Sequence, residues 1–101
     1  MKTAKEIKEM MDELEKEEND EVLTKGLNAV EDEIISKAME GKYRCSIELD
    51  YHYESSIKIL REHLESLGYK VSNTVFAEKV SFEISWFHIC REHLRENIIL
   101  N

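Results

Sequence analysis

The apolar residues of this chain recur with a helical period up to residue 39 and then alternate with polar residues over residues 43–49. Before the switch, apolar side chains follow each other at steps of four, three, four and four: Leu23, Leu27, Val30, Ile34 and Ala38. That spacing predicts the buried stripe of a helix. Residues 43–49 alternate strictly, which predicts a strand with one buried face. A chain that carries both periods is expected to pack helices against a sheet.

A first helix is predicted to begin at Ala4, because Thr3 and Glu6 form a capping box. Its apolar stripe is thin and rich in methionine. Such a helix is marginal alone in water, so it needs support from its own domain or from another subunit. Asn19 and Asp20 are predicted to end it and to cap a second helix. Residues 1–19 are therefore interpreted as an acidic, peripheral helix of a single domain, residues 1–101.

The remaining elements follow from capping residues and glycines. Gly41 is predicted to end the second helix. Asp50 is predicted to cap a third helix, which Gly68 ends. Strands are predicted at residues 69–76 and 80–86. The last predicted element is a short C-terminal helix with Phe87, Cys90, Leu94 and Ile98 inward. The fold class is therefore α+β: two N-terminal helices, a β-α-β-β unit with a three-stranded mixed sheet, and the C-terminal helix.

The order of the strands in the sheet has two solutions. We favour the order 1-3-2, with the third strand antiparallel to both neighbours, because its apolar face is the bulkiest: Val80, Phe82, Ile84 and Trp86. Helices would then cover one face of the sheet. The other face would be polar and would meet solvent or a partner.

The charge of the chain is strongly acidic and unevenly distributed. It has 22 acidic and 14 basic residues, for a formal net charge of -8. This balance argues against direct nucleic-acid binding, which needs clustered lysine and arginine. Acids concentrate near the end of the first helix, and we predict that they bind a basic protein or imitate nucleic acid: Glu13, Glu15, Glu17, Glu18, Asp20 and Glu21.

A second candidate binding site is the segment Tyr51, His52 and Tyr53. It follows the first strand, and three large side chains in a row cannot all be buried. Ligands of α/β units bind beside such crossovers. A nucleotide bound there would bring Arg44 and Arg61 near the ligand.

No catalytic residue and no metal ligand is predicted. His88, Cys90 and His93 form an H-x-C-x-x-H cluster, but His88 and Cys90 are two residues apart and so lie on different faces of a helix. Cys45 has a core-facing strand position, where cysteine acts as a small apolar residue. Glycine-rich loops and nucleophile elbows are missing from the sequence. We expect no enzyme activity and no cofactor.

The sequence also bears on location. The first 18 residues are highly charged, and apolar runs are too short to span a membrane. We expect a cytoplasmic protein without membrane contact, in the host cytoplasm if the chain is viral.

Residues 34–86 resemble a group of small, mostly uncharacterised phage-encoded α+β accessory proteins. The similarity lies in a G-K-Y motif (Gly41, Lys42, Tyr43), an L-G-Y-x-V motif (Leu67, Gly68, Tyr69, Val71) and an I-S-W motif (Ile84, Ser85, Trp86). The resemblance implies a phage accessory or virion-associated protein and supplies no catalytic residues.

Three functions are compatible with these features. The first is a non-enzymatic, homo-oligomeric protein that binds, and inhibits, a host protein such as a defence or regulatory factor. The second is a small structural or assembly protein of the virion, with the first helix between subunits. The third is a protein that sequesters a nucleotide.

Overall fold

The computed structural model of the chain describes residues 1–77 and 79–90. One long helix comes first, made of α1 (Ala4–Glu21), a π-helical turn (Val22–Gly26) and α2 (Leu27–Met39). The later elements are β1 (Arg44–Leu49), α3 (Glu54–Ser66), β2 (Lys70–Phe76), β3 (Lys79–Ser85) and a helical turn at residues 87–90. The predictions for His93, Leu94 and Ile98 lie outside the described residues.

The start of the long helix is confirmed, and its predicted interruption is wrong. The Thr3 hydroxyl accepts a hydrogen bond of 3.2 Å from the Glu6 amide, as the capping box requires. The helix continues through Asn19 and Asp20, because the Asn19 side chain accepts hydrogen bonds from Ser55 and Ser56 instead of capping a second helix. The first two predicted helices are therefore one.

The π-helical turn sets which residues of α2 face the core. Val22, Gly26, Val30 and Ile34 are buried at three successive steps of four. On an ideal α-helix each such step drifts by about 40°, and a wider turn absorbs part of that drift. The predicted stripe is therefore only partly right: Val30 and Ile34 are buried, whereas Leu23 and Ala38 are exposed.

The third helix begins later than predicted. Asp50 does not cap it, since the N-cap residue is Tyr53 and no side chain of the α3 segment itself caps the helix. Both predicted glycine stops are confirmed. Gly41 and Gly68 follow α2 and α3 with φ values of 78° and 98°, a left-handed conformation that other residues rarely adopt.

The sheet has the favoured order, β1-β3-β2. Both pairings are antiparallel, so the sheet is antiparallel and not mixed. Cys45, Ile84 and Val71 lie side by side on the inner face, and Ser46, Glu83 and Ser72 lie side by side on the outer one. The outer face is the polar one predicted from the alternation.

The core lies between the inner face of the sheet and the two helices α2 and α3. Its buried residues are Val22, Val30, Ile34, Cys45, Leu60, Leu64, Val80, Phe82 and Ile84. Trp86 packs against this core and makes an edge-to-face contact with Tyr69, with 6.3 Å between the ring centroids. The helices thus cover one face of the sheet, as predicted.

Phe76 of β2 pairs with Lys79 of β3, and Ala77 lies in the turn that joins the two strands. Ala77 has a φ of 52°, in the left-handed region that a two-residue hairpin turn demands. An alanine there is strained by about 1 kcal/mol relative to glycine.

Candidate functional site

The acidic run of α1 divides into acids that face α3 and acids that face outward. Glu15 and Glu18 are half-buried, whereas Glu13, Glu17, Asp20 and Glu21 are exposed. The sequence treats all six as one binding patch. The fold instead uses two of them as internal hydrogen-bond acceptors.

Glu18 accepts hydrogen bonds from the start of α3, an arrangement we call the Glu18 clamp (Glu18 with His52, Tyr53 and Ser56). One carboxylate oxygen lies 2.9 Å from the His52 amide nitrogen and 3.2 Å from Nδ1 of the His52 ring. The other lies 3.1 Å from the Tyr53 amide nitrogen and 2.7 Å from the Ser56 hydroxyl. A carboxylate near a helix N-terminus is also favoured by the helix dipole, so Glu18 supplies the cap that Asp50 does not.

The clamp keeps Glu18 ionised. Burial opposes its charge, but the hydrogen bonds from Ser56, His52 and Tyr53 outweigh that effect and lower the pKa of the carboxyl from its ordinary value. Only 12% of the side chain is exposed. Glu18 is therefore a negative charge that belongs to the fold.

Two neighbours extend the contact between α1 and α3. The Ser55 hydroxyl donates to Glu15 at 2.6 Å, and the Ser56 hydroxyl, whose one hydrogen is shared with Glu18, lies 2.7 Å from the side-chain oxygen of Asn19. Ser56 is fully buried. These contacts join residues 37 and 40 positions apart, so no local sequence pattern could have revealed them.

The outward acids form a line along the helix, which we call the acidic ridge (Glu9, Glu13, Glu17 and Asp20). They follow each other at steps of four, four and three, and all four are exposed. Within the described part of the chain, none of them forms an ion pair, whereas Asp12 pairs with Lys8 at 3.3 Å. Like charges four residues apart destabilise a helix by about 0.2–0.5 kcal/mol per pair. The ridge therefore has a small folding cost, and Glu9 belongs to it although the sequence prediction omitted it.

A different side of α1 carries the apolar stripe (Ile7, Met10, Met11 and Leu14). These side chains are 44–52% exposed, and no residue of α1 is buried. The hydrogen bonds between α1 and α3 are made further along, from Glu15 onward. We call residues 4–14 the arm, because all of them are exposed, whereas Glu15, Glu18 and Asn19 accept hydrogen bonds from α3.

The segment from Tyr51 to Tyr53 contacts the core and the Glu18 carboxylate. Tyr51 packs against the core, and its hydroxyl lies where a Cβ on Gly26 would be. Burial raises the pKa of Tyr51, and the charges of Glu18 and Glu21 raise it further. His52 and Tyr53 donate their amides to Glu18.

A shallow groove of about 510 Å³ lies beside this segment. It is lined by Tyr51, His52, Glu54, Ile57, Asn73, Val75 and Ala77. The arginines named for a nucleotide are not among its lining residues. Arg44 begins β1 and faces the outer side of the sheet, and Arg61 donates to Glu65 and Asn73. Of the two arginines predicted to lie near a nucleotide, Arg61 therefore lies next to the groove through Asn73, and Arg44 does not line it.

Cys45 lies in the core, and His88 lies in the helical turn after β3. Burial raises the pKa of the Cys45 thiol, and so does the Glu33 carboxylate, while Lys37 opposes the shift. His88 Nε2 lies 3.0 Å from the Gly68 carbonyl oxygen, to which it can donate. Among residues 1–77 and 79–90, no three histidine, cysteine or acidic side chains are grouped to hold a metal ion.

Comparison of the chain with protein-family models, with curated proteins and with solved structures finds no significant match. In the described residues, no helix is both long enough and apolar enough to cross a bilayer.

Proposed function

We propose that this chain is a non-enzymatic binding protein that engages a basic surface of another protein through the acidic ridge. The ridge is the observation that carries the proposal. Its acids are exposed, have no ion pairs in the described part of the chain, and cost the helix stability. A basic partner would relieve that repulsion when it binds.

Rigidity supports the same function. The ridge lies on a helix that continues through the π-helical turn into the core, and the Glu18 clamp fixes the helix against α3. A surface that is ordered before binding loses little conformational entropy on binding. Concentrated charge of one sign also accelerates association with a partner of the opposite sign.

The resemblance of residues 34–86 to phage accessory proteins indicates what kind of partner this is. We propose a host protein, such as a defence or regulatory factor, whose own function depends on a basic surface. Binding of the ridge to that surface would inhibit it by occupying the place of its normal acidic ligand.

The test compares two triple variants that each remove three negative charges. The ridge variant is Glu9→Gln, Glu13→Gln and Glu17→Gln. The control is Glu31→Gln, Asp32→Asn and Glu48→Gln, at exposed positions on α2 and β1. Both have the same net charge, so non-specific effects of charge cancel.

Each protein is immobilised and used to capture proteins from a bacterial lysate, and the captured protein is then purified and titrated. We expect the ridge variant to bind at least about tenfold more weakly, since three exposed pairs of about 0.5 kcal/mol each are lost. The control should bind as the wild type does. Equal binding by the ridge variant, or equal loss in both variants, contradicts the proposal.

The second candidate function, assembly of a virion, is favoured by the apolar stripe. A wild type that self-associates through the stripe but captures no host protein would favour this second function.

A further inference from the structure

We propose that the arm binds the arm of a second copy of this chain in antiparallel orientation, through the apolar stripe. This interface lies on a different side of α1 from the acidic ridge, so it goes beyond the proposed function. The dimer would leave both ridges open and would present them as a pair.

The stripe needs a cover that the described residues do not supply. Ile7, Met10, Met11 and Leu14 lie on one side of the arm, and each is about half exposed. The hydrogen bonds between α1 and α3 begin only after this stretch, at Glu15. An isolated helix of this length is marginal in water, and most helix stability in proteins comes from packing of an apolar face.

The stripe is complementary to itself in one orientation. An antiparallel pair with its two-fold axis between Met10 and Met11 places Ile7 of each copy against Leu14 of the other. The methionines then meet at the centre, where their unbranched side chains adapt to one another. Such an interface uses the same patch on both copies and closes on itself.

Charge selects the antiparallel orientation over the parallel one. Residues 1–8 contain three lysines and one glutamate, whereas residues 9–21 contain eight acids and one lysine. Parallel arms would align the two acidic halves, which repel. Antiparallel arms place the basic start of each copy beside the acidic half of the other.

The length of the arm determines whether the dimer has room for both cores and how tightly the two copies bind. An overlap of residues 4–17 is about 20 Å long, and the two cores lie at its opposite ends. An interface of four side chains from each copy is smaller than the roughly 1,200–2,000 Å² of stable complexes. We therefore expect a weak dimer, with a dissociation constant in the micromolar range or above.

Disulfide trapping in the full chain tests both the contact and its direction. The background carries Cys90→Ser, and Cys45 is buried and stays. Met10→Cys, next to the two-fold axis, should cross-link with itself under mild oxidation. A mixture of Ile7→Cys and Leu14→Cys should cross-link between the two variants.

Ile7→Cys alone should not cross-link, because the two copies of residue 7 are about 10 Å apart along an antiparallel pair. The background protein gives the baseline. Efficient cross-linking of Ile7→Cys with itself shows a parallel pair and overturns the proposal.

Sedimentation equilibrium of uncross-linked protein gives the second measurement. We expect the average mass of the wild type to rise towards that of two chains as its concentration increases, and that of Met11→Glu to stay at one chain. Glu9→Ala, on the ridge, should behave as the wild type does. A wild type that remains monomeric up to millimolar concentration overturns the proposal.

Discussion

The arm and α2 belong to the same long helix, but only α2 is part of the core. Ile7 in the arm is 44% exposed, whereas Ile34 in α2 is 8% exposed. Both lie on apolar stripes with helical spacing. Periodicity therefore identifies which side of a helix is apolar, and the rest of the fold decides whether that side is covered.

The largest expected effect separates the two isoleucines. Ile34→Ala should lower the free energy of unfolding by about 2–5 kcal/mol, because it removes buried methyl groups and leaves a cavity. Ile7→Ala should lower it by less than about 1 kcal/mol in dilute protein. Urea titration of both variants measures the difference, and equal losses would show that the arm is packed as tightly as α2.

The next effect lies at the junction between the two regions. Glu18→Ala should cost about 1.5–3 kcal/mol, since it leaves four donors of the Glu18 clamp without their charged acceptor. Glu17→Ala, one residue earlier and exposed, should change stability by less than about 0.5 kcal/mol. Thermal melts of the two variants show whether Glu18 stabilises the contact between the long helix and α3. Equal stability of the two variants would show that it does not.

Acid should weaken the same junction. The pKa of Glu18 is lower in the folded protein than in the unfolded chain, so its stabilisation is complete above the ordinary glutamate pKa of about 4.3 and is lost as the pH falls through the lowered value. Between about pH 5 and pH 3, the wild type should lose more stability than Glu18→Gln. Parallel curves for the two proteins would contradict this assignment, and Glu17→Gln, which follows the wild type, is the control.

A smaller effect is expected at the π-helical turn. Gly26→Ala would ordinarily stabilise a helix by about 0.5–1 kcal/mol. Here its Cβ overlaps the Tyr51 hydroxyl, so we expect a net loss of about 1 kcal/mol. Tyr51→Phe should remove most of that loss when the two changes are combined. A chemical denaturation cycle measures this coupling, and its absence would show that the ring moves aside freely.

The smallest effect is the loss of the arm itself. Deletion of residues 1–13 should leave cooperative unfolding in place and change stability by less than about 1 kcal/mol in dilute protein, since α1 has no buried residue. Deletion of residues 1–19 should cost more, because it also removes Glu18 and Asn19. If both deletions abolish the melting transition, the arm is required for folding.

The sheet was the most predictable part of the molecule. Strict alternation in residues 43–49 fixed which side chains face inward, and the bulk of Phe82 and Ile84 indicated the central strand. Gly41 and Gly68 ended helices as expected, because left-handed backbone is a local requirement. These features depend on near neighbours in the sequence.

The errors occurred where a residue serves a distant part of the chain. Asn19 resembles a helix cap in the sequence, but its side chain accepts hydrogen bonds from Ser55 and Ser56. Asp50 also resembles a cap, but the cap of α3 is supplied by Glu18, which lies 35 residues before Tyr53. The six acids of the predicted patch look equivalent in the sequence, yet Glu15 and Glu18 bind the chain's own serines. The pairing of Tyr51 with Gly26 across the π-helical turn likewise has no local signal.

The 1-3-2 order of the sheet also has a consequence for biosynthesis. Of the three described strands, the central one is the last to leave the ribosome, and Arg44 of β1 can pair only after Ser85 of β3 has been made. Until then, neither β1 nor β2 has a neighbour, and the inner faces of α2 and α3 have no complete sheet to cover. Nascent chains that expose unpaired strand edges and apolar surface are prone to aggregate. The acidic helix α1 is synthesised before these strands, and we expect its charge to favour solubility of such a chain.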